Sequence, residues 1–274
     1  MASANVAIVD PASVEAASIE AEWLGRRGVL RVRAPNPGPL TMSGTNSWVV
    51  GSDPAWVVDP GPALAEHLQR LTQAVTQRGG LGGVALTHDH IDHSEAVAAL
   101  RERFPAPLAA GRGPAEVVLS DGQRFGPFEA MYTPGHATDH FALVTNGVCF
   151  TGDAVLGEGS VFIAPDPGAL AGYLDGLTRL RERADVEVLC PGHGPPIWTP
   201  RERVTEYIEH RLERERRLLE ALAEGRRGTE ELLDAAWSDV PAQLRPVAAV
   251  TLLTHLNKLA DEGLLPEGVE RPAW

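Results

Sequence analysis

Short apolar runs between glycine- and proline-rich turns predict a β-rich start to the chain. The earliest runs have the length and β-branched content of strands, at residues 29–33, 46–50 and 55–59. Residues 63–78 instead carry apolar side chains at helical spacing and stop at a Gly-Gly pair, which predicts a helix. The apolar run at residues 83–86 then predicts a further, buried strand.

The same alternation continues to about residue 200. Helices are predicted at residues 94–104 and 168–182. The predicted strands of this half are at residues 128–133, 141–145, 148–151 and 186–190. Mixed strands and helices of these lengths predict an α/β fold arranged in layers.

Beyond residue 200 the pattern becomes helical. Residues 201–224 form one long, highly charged predicted helix whose charged side chains we expect to face solvent. Helices are also predicted at 229–237 and 246–260, followed by a short extended piece. We therefore predict two units, residues 1–200 and a small helical unit at residues 201–274.

The segment Thr87-His88-Asp89-His90-Ile91-Asp92-His93 carries the main chemical signal. It places three imidazoles and two carboxylates directly after a predicted buried strand. Imidazole and carboxylate are ligands of zinc and related metals, so the segment indicates a metal site more strongly than a solvated loop. Further candidates follow short β-like runs and are flanked by glycine, namely His136, Asp153 and His193.

This order of ligand types resembles the metallo-β-lactamase superfamily, whose signature is His-x-His-x-Asp-His followed by a lone His, a lone Asp and a last His. The resemblance covers roughly residues 20–200 and implies a four-layer αββα sandwich as the catalytic domain. It implies two divalent metal ions. Their ligands would be His88, His90 and His136 for one ion and Asp92, His93 and His193 for the other, with Asp153 as the bridge.

The implied chemistry is hydrolysis. Two metal ions roughly 3.5–4 Å apart can share a hydroxide, because they lower the pKa of water toward about 7. Zinc (Zn2+) is the expected metal, and manganese (Mn2+) or iron (Fe2+) suits the same nitrogen and oxygen ligands. Asp92 is the candidate proton acceptor. His140 is a candidate hydrogen-bond donor to the reacting oxygen, with a purely structural role as the alternative.

The C-terminal unit resembles a small winged-helix domain, and a sandwich with such a module is most similar to the branch containing beta-lactamase-like protein 2. The motif Gly44-Thr45-Asn46-Ser47 strengthens that resemblance. The branch includes enzymes that release carrier-bound acyl thioesters and enzymes that cleave single-stranded RNA. We therefore expect attack on an ester, thioester or lactone carbonyl of a small-molecule or carrier-bound acyl substrate. A single-stranded RNA endoribonuclease is the alternative.

Two other interpretations are less favoured. A glyoxalase-II-like thioesterase would share the ligands, but the C-terminal unit does not resemble its substrate-binding helices. A catalytically silent binding protein would be expected to have lost a ligand, whereas all the ligand positions are occupied. β-Lactam cleavage is not favoured either, because such enzymes typically use a Cys ligand or lack a carboxylate bridge. Here Cys149 and Cys190 lie in apolar runs, where buried thiols are expected.

Charge and composition limit the partners. The chain has 274 residues and a net charge of −13, which disfavours non-specific attraction to nucleic acid or to an anionic membrane. No apolar run approaches a membrane span, and we expect a cytoplasmic protein. Because the C-terminal unit is acidic overall, we expect it to form a cleft wall or a homo-oligomer contact rather than to bind DNA.

The histidines outside the metal-site motifs lie on predicted charged helices. His67, His210 and His255 are therefore expected to face solvent. Trp48 and Trp56, on neighbouring predicted strands, are expected to pack in the core.

Overall fold

The structure is a computed structural model that describes residues 24–273. Its first sheet has six strands in chain order, with three antiparallel strands followed by parallel ones. These strands are β1 Val29–Arg33, β2 Asn46–Val50, β3 Ala55–Val58, β4 Leu81–Ala85, β5 Leu108–Ala110 and β6 Val117–Val118. The first three match the predicted bounds within one residue, whereas the very short β5 and β6 have no counterpart in the sequence prediction.

The second sheet has five strands in the order β11-β10-β9-β8-β7. They are β7 Arg124–Phe125, β8 Phe128–Tyr132, β9 Phe141–Thr145, β10 Val148–Gly152 and β11 Val188–Pro191. Only the β10–β11 pair is parallel. β11 therefore runs beside β10 in the same direction, and the two strands end together at the edge where ligand candidates follow.

Within the described residues, seven helices complete the fold, in addition to helical residues at 24–26, where the described range begins. They are α1 Ala65–Gln77, α2 Ile91–Ser94, α3 Val97–Arg103, α4 Ala169–Glu182, α5 Pro200–Ala223, α6 Thr229–Ala236 and α7 Arg245–Asp261. The helix predicted at residues 94–104 corresponds to α3, and the short helix α2 before it was not predicted. A short 3-10 helix, Ala242–Leu244, precedes α7, and the segment after α7 forms a turn and coil rather than a strand.

The hydrophobic clusters define the layers. Trp48 and Val58 of the first sheet pack with Phe150 and Leu143 of the second, which places one core between the sheets. A second core joins the outer face of the first sheet to α1 and α3, and a third joins the outer face of the second sheet to α4 and α5. Helices on both outer faces of two packed sheets make the predicted αββα sandwich, so the predicted fold class is confirmed.

A fourth cluster forms the C-terminal unit. It consists of the second half of α5, through Leu218 and Leu222, packed against α6 and α7. The first half of α5 instead packs in the sandwich core through Val204, Tyr207 and Ile208. One helix therefore contributes to both units. Among the described residues, no helix is both long enough and apolar enough to cross a membrane.

Several side chains differ from their predicted exposure. His67 and His255 are fully buried, so the prediction that they face solvent was wrong, while His210 is exposed as predicted. Two arginines of the charged helix α5, Arg211 and Arg214, are also buried, with 3% and 5% exposure. Each of these side chains is covered by an element that is distant in the sequence. Trp48, Cys149 and Cys190 are buried as predicted, and Trp56 is partly buried.

Candidate metal centre

Seven His and Asp side chains that the sequence analysis selected meet at one edge of the sandwich. They come from the loop after β4, the first turn of α2, the loop after β8 and the ends of β10 and β11. Their ligand atoms form three overlapping groups, each with all atoms within 4.8 Å of one another. The groups are His88, His90 and His136; His88, His93 and Asp153; and Asp92, His93 and His193.

The first group is three ring nitrogens. His88 Nε2 and His136 Nε2 each lie 3.0 Å from His90 Nδ1. The backbone carbonyl of Phe162 accepts a hydrogen bond from His136 Nδ1 at 2.9 Å, so the proton of that ring is on Nδ1 and its Nε2 carries a lone pair. A single proton on His90 Nδ1 could satisfy only one of its two neighbours. A cation between the three nitrogens would satisfy all of them.

Thr87 gives the same orientation to His88. Its hydroxyl donates to Asp59 Oδ2 at 2.7 Å, since a carboxylate only accepts. The same hydroxyl oxygen, 3.0 Å from His88 Nδ1, is then the acceptor for that ring nitrogen. His88 therefore turns the lone pair of Nε2 toward the shared space, as a metal ligand does.

The second group joins imidazoles to carboxylates. His193 Nε2 lies 3.3 Å from both Asp92 Oδ2 and Asp153 Oδ2. His93 Nε2 lies 3.5 Å from Asp92 Oδ2 and from Asp153 Oδ1. Asp153 also approaches the first group, since its Oδ2 is 3.6 Å from His136 Nε2. Asp153 thus lies between the two groups, which is the position that the sequence resemblance implies for a bridge.

Unpartnered buried atoms support a metal at this place. Among the described residues, His93 Nε2 and Asp153 Oδ1 are buried side-chain atoms without a hydrogen-bond partner. Leaving such polar atoms unsatisfied costs about 1–3 kcal/mol each. Because both atoms face the shared space and belong to ligand types that divalent metals prefer, the residues present fit a metal centre.

Asp59 holds the second group from behind. It is 1% exposed, accepts the Thr87 backbone N–H at 2.8 Å, and accepts a hydrogen bond from His93 Nδ1 at 3.0 Å. This carboxylate–imidazole pair leaves His93 Nε2 directed at the metal position. Asp59 was not among the sequence candidates. The feature that could have identified Asp59 is its position directly after β3, a strand that pairs in parallel with β4, whose end leads into the ligand segment.

The carboxyl groups of the centre are ionised. Burial alone would raise the pKa of Asp92, but its hydrogen bond with His193 and the charges of His93 and His193 lower that pKa to about 2. Burial likewise opposes ionisation of Asp153, and its contacts with His93 and His193 hold its pKa well below the usual range. The site therefore concentrates negative charge beside neutral or cationic imidazoles.

Thr45 and Asn36 hold Asp92 in place. The Thr45 backbone N–H donates to Asn36 Oδ1 at 2.9 Å, which fixes the orientation of that amide. Asn36 Nδ2 then donates to Thr45 Oγ1 at 2.9 Å. The Thr45 hydroxyl proton is consequently directed at Asp92 Oδ2, 3.0 Å away. The motif at residues 44–47 thus gains a physical role, because it supplies this donor.

His140 is part of the scaffold under Asp153. Its Nε2 accepts the Asp153 backbone N–H at 3.2 Å, and its Nδ1 lies 2.8 Å from Thr133 Oγ1. The ring is fully buried, and burial lowers its pKa to about 3. With both nitrogens occupied, this geometry favours the structural role considered for His140 over the role of donor to a reacting oxygen.

Asp89 and Arg112 lie at the rim of the site. Asp89, between two ligands in the sequence, forms a two-point ion pair with Arg112 at 2.7 and 2.6 Å. Its backbone N–H donates to Asp139 Oδ2 at 3.1 Å. The Arg112 guanidinium also lies 3.6 Å from Asp139. The one arginine that the described contacts bring to the ligand segment is therefore matched by two carboxylates.

Comparison with known proteins agrees with this geometry. The profile of the metallo-beta-lactamase superfamily matches residues 40–121, and that of the beta-lactamase associated winged helix domain matches residues 229–269. The solved structure of a beta-lactamase domain protein from Burkholderia ambifaria superposes with a TM-score of 0.72 at 22% identity. The superposition covers 88% of this chain and 90% of that chain, and it supports the fold alone.

Two curated relatives cover most of the chain. The beta-lactamase-like protein 2 homolog of Drosophila melanogaster is 29% identical over 267 residues, which is 86% of this chain and 89% of the relative. The atrochrysone carboxyl ACP thioesterase of Aspergillus chevalieri is 34% identical over 212 residues, which is 72% of this chain and 67% of the relative. The chain therefore belongs to the metallo-beta-lactamase superfamily and is a hydrolase of that superfamily with a C-terminal winged helix domain.

Proposed function

We propose that the protein is a two-metal hydrolase in which water attacks the carbonyl carbon of a thioester, ester or lactone and the acyl C–S or C–O bond breaks, with carrier-bound acyl thioesters as the first substrate class to test. The observation that carries the proposal is the meeting of seven ligand-type side chains, two of which have a buried atom without a hydrogen-bond partner among the described residues. The similarity to an acyl-carrier-protein thioesterase supports the substrate class.

The ligands divide into two sets in this proposal. His88, His90 and His136 hold one divalent ion, and Asp92, His93 and His193 hold the other, with Asp153 shared. Bound metals would supply an activated water and polarise the substrate carbonyl. We propose Zn2+, and Mn2+ or Fe2+ is compatible with the same nitrogen and oxygen donors.

The residues of the chain position the reacting groups. Asp92 accepts the proton that the attacking water loses, and the Thr45 hydroxyl fixes the orientation of its carboxylate. His140 holds the backbone at Asp153, and Asp59 orients the ring of His93. Thus Asp92, His93 and Asp153 are each held by a residue that is not itself a metal ligand in this proposal.

The rim favours an acyl substrate over RNA. A nuclease needs cations free to contact phosphates beside its catalytic centre. Arg112 is already bound by Asp89 and faces Asp139, so its charge is offset before substrate arrives. A net charge of −13 adds long-range repulsion toward a polyanion.

We also propose the cytoplasm as the location, which agrees with two cysteines buried as thiols.

The first experiment compares substrate classes with metal-loaded protein and its Asp153→Ala variant. We expect hydrolysis of an acyl-carrier or acyl-pantetheine thioester, lost on chelation and restored by Zn2+. The Asp153→Ala variant should lose about 100–1,000-fold in kcat, because a single well-placed electrostatic group contributes that much to catalysis. Gln123→Ala, outside the centre, is the matched control.

The same experiment separates the alternatives. Metal-dependent cleavage of single-stranded RNA without thioester hydrolysis would replace this proposal with the nuclease. Turnover of S-lactoylglutathione alone would favour the glyoxalase-II-like thioesterase. Full activity after chelation and dialysis, or in Asp153→Ala, would contradict a metal-dependent mechanism at this site.

A further inference from the structure

One irregular segment separates the metal centre from the C-terminal helices. We call residues 156–165 the strap. It contains no helix or strand, yet Val161 and Ile163 within it are buried, with 4% and 1% exposure. A buried segment without regular structure must find other partners for its backbone groups. The position of those partners links the two units.

One carbonyl of the strap faces the metal centre. Phe162 O accepts the hydrogen bond from His136 Nδ1 that fixes the proton of that ring. His136 is a ligand candidate in the group of three imidazoles. The orientation of its Nε2 therefore depends on where the Phe162 carbonyl lies.

The neighbouring carbonyls face the opposite way. Arg211 of α5 donates to Val161 O. Thr254 of α7 lies 3.1 Å from Ile163 O and 3.0 Å from Val250 O in its own helix, so its one proton is shared between them. Successive backbone carbonyls of an extended chain point to opposite sides. The carbonyls of residues 161 and 163 therefore point to α5 and α7, whereas the carbonyl of residue 162 points to His136.

Both ends of the strap are held in the same manner. Asn257 Nδ2 on α7 donates to Pro165 O at 3.0 Å, and Arg271 donates to Asn257 Oδ1 at 2.9 Å, which fixes the orientation of the amide. At the other end, Gly159 O accepts from Tyr207 at 3.0 Å and from Arg203 at 3.1 Å. Side chains of α5 and α7 thus replace the neighbouring strand that this segment lacks.

Arg211 is the most costly of these contacts. It is 3% exposed, and burying a guanidinium is costly unless acceptors compensate its charge. The acceptors of its terminal nitrogen are strap groups, Val161 O and, at 3.2 Å, Ser160 Oγ, while its guanidinium carbon lies 5.8 Å from the ring centre of Tyr173 in α4. This buried cation indicates that α5 fixes the position of the strap rather than merely covering it, while Thr254 and Asn257 of α7 supply the contacts from the C-terminal unit.

We propose that α5 and α7 act through the strap to position His136, so that binding of the metal held by the three imidazoles depends on the C-terminal unit. Arg211, Thr254 and Asn257 are positioning residues in this proposal. It rests on the proposed metal centre. The winged helix unit would then be a structural component of one half of the centre, whatever else it binds.

The asymmetry of the contacts makes the proposal testable. His93, a ligand of the other ion, is oriented by Asp59, which belongs to the sandwich itself. Loosening the strap should therefore lower the affinity for the ion held by the three imidazoles and leave the affinity for the other ion unchanged. Removing an outer partner of a metal-bound imidazole typically weakens metal affinity by 10–100-fold. We expect about the lower end of this range, because α7 acts on His136 through one intervening segment.

The experiment is a titration of metal-free full-length protein with Co2+, followed by absorption spectroscopy and by calorimetry. The main variant is Thr254→Val/Asn257→Leu, which removes both α7 donors with little change in volume. Thr251→Val is the matched control, because Thr251 lies on the same helix and contacts Val247 O of that helix. Thr254→Ser keeps the hydroxyl, and His136→Ala marks the spectrum of protein without the first metal.

We expect the wild type to bind two Co2+ ions. In the double variant, the affinity of one Co2+ site should fall about tenfold and that of the other should stay unchanged. The absorption spectrum of the double variant with one equivalent of Co2+ should match that of His136→Ala, whereas Thr251→Val and Thr254→Ser should behave like the wild type. If the double variant fails to fold by circular dichroism, Asn257→Ala alone serves as the second variant. Equal weakening of both sites, or unchanged affinity of both, would overturn the proposal.

The failure modes are distinct. A wild type that binds fewer than two ions contradicts the proposed metal centre and this inference with it. A wild type and variants that all bind two ions equally contradict only the role of the strap. A purely structural role would lower the thermal stability of the metal-free double variant without changing the ratio of the two affinities, and would also overturn the inference.

Discussion

The side chains that would hold the metals are themselves held by a layer of buried hydrogen bonds. Asp59, Thr87 and Thr45 each fix the direction of a ligand atom without being a ligand in the proposed assignment. In every case the direction follows from which atom can only donate or only accept. The catalytic consequence is a set of ligands already oriented before metal or substrate binds.

Thr45 offers a test at this scale. Thr45→Val removes the donor to Asp92 Oδ2 at nearly constant volume, and a hydrogen bond to a charged group contributes about 1.5–3 kcal/mol. We expect thioester kcat/KM to fall by about 10–100-fold, with Thr45→Ser close to the wild type. Steady-state kinetics beside metal analysis would check this. Equal rates for Thr45→Val and Thr45→Ser would show that the hydroxyl does not assist Asp92.

The cluster of ligand candidates was predictable from the sequence, whereas the side chains behind it were not. His88, His90 and His93 form a local pattern with few alternative explanations. Asp59 lies far from them in the sequence and carries no motif. Arg211 and His255 were predicted to face solvent, because a charge pattern along one helix cannot reveal which distant element will cover each side chain.

At the scale of elements, the prediction succeeded where local signals are strong. β1 and β2 were predicted with their observed bounds, since β-branched residues between clear turns define them. The two-residue strands β6 and β7 were missed, because so short a run has no measurable periodicity. The loops after β4, β10 and β11 nevertheless meet at one edge, which is what brings distant motifs together.

The loop after β11 shows how closely these elements approach. Gly192 donates its N–H to Gly152 O at 2.8 Å, and its carbonyl accepts from Asn46 N at 2.7 Å. A Cβ on Gly192 would lie 2.5 Å from Asp153 Oδ1 and 2.5 Å from His93 Cε1. Because hydrogen bonds hold the backbone on both sides, the two ligand candidates would have to move.

We therefore expect Gly192→Ala to remain folded but to lose metal affinity and about 100-fold in kcat/KM, the scale of a 1 Å misplacement of catalytic groups. Gly25→Ala is the matched control, since a Cβ there meets nothing within 4 Å. Circular dichroism and metal titration of both variants would check this. Normal metal binding by Gly192→Ala would mean that the close approach is not required.

At the scale of the whole molecule, α5 joins the sandwich to the C-terminal unit. Its first half supplies Val204 and Ile208 to the sandwich core, and its second half supplies Leu218 and Leu222 to the C-terminal core. Arg214 adds a buried contact, with two hydrogen bonds to Asp239 and one to Ala236 O. The predicted boundary at residue 200 marks the start of this helix, and the helix itself couples the two cores.

We expect the two units to unfold as one. Unfolding either core would expose the apolar side chains that one half of α5 buries there, Val204 and Ile208 in the sandwich or Leu218 and Leu222 in the C-terminal unit, and exposing each such side chain to water costs about 1.5–3 kcal/mol. Calorimetry of the full chain should give a single transition with equal calorimetric and van't Hoff enthalpies. Arg214→Met, which cuts the link to Asp239, should separate the transitions or lower the enthalpy ratio relative to Arg201→Met, an exposed control on the same helix. Two resolved transitions in the wild type would mean that the winged helix unit is energetically independent of the sandwich.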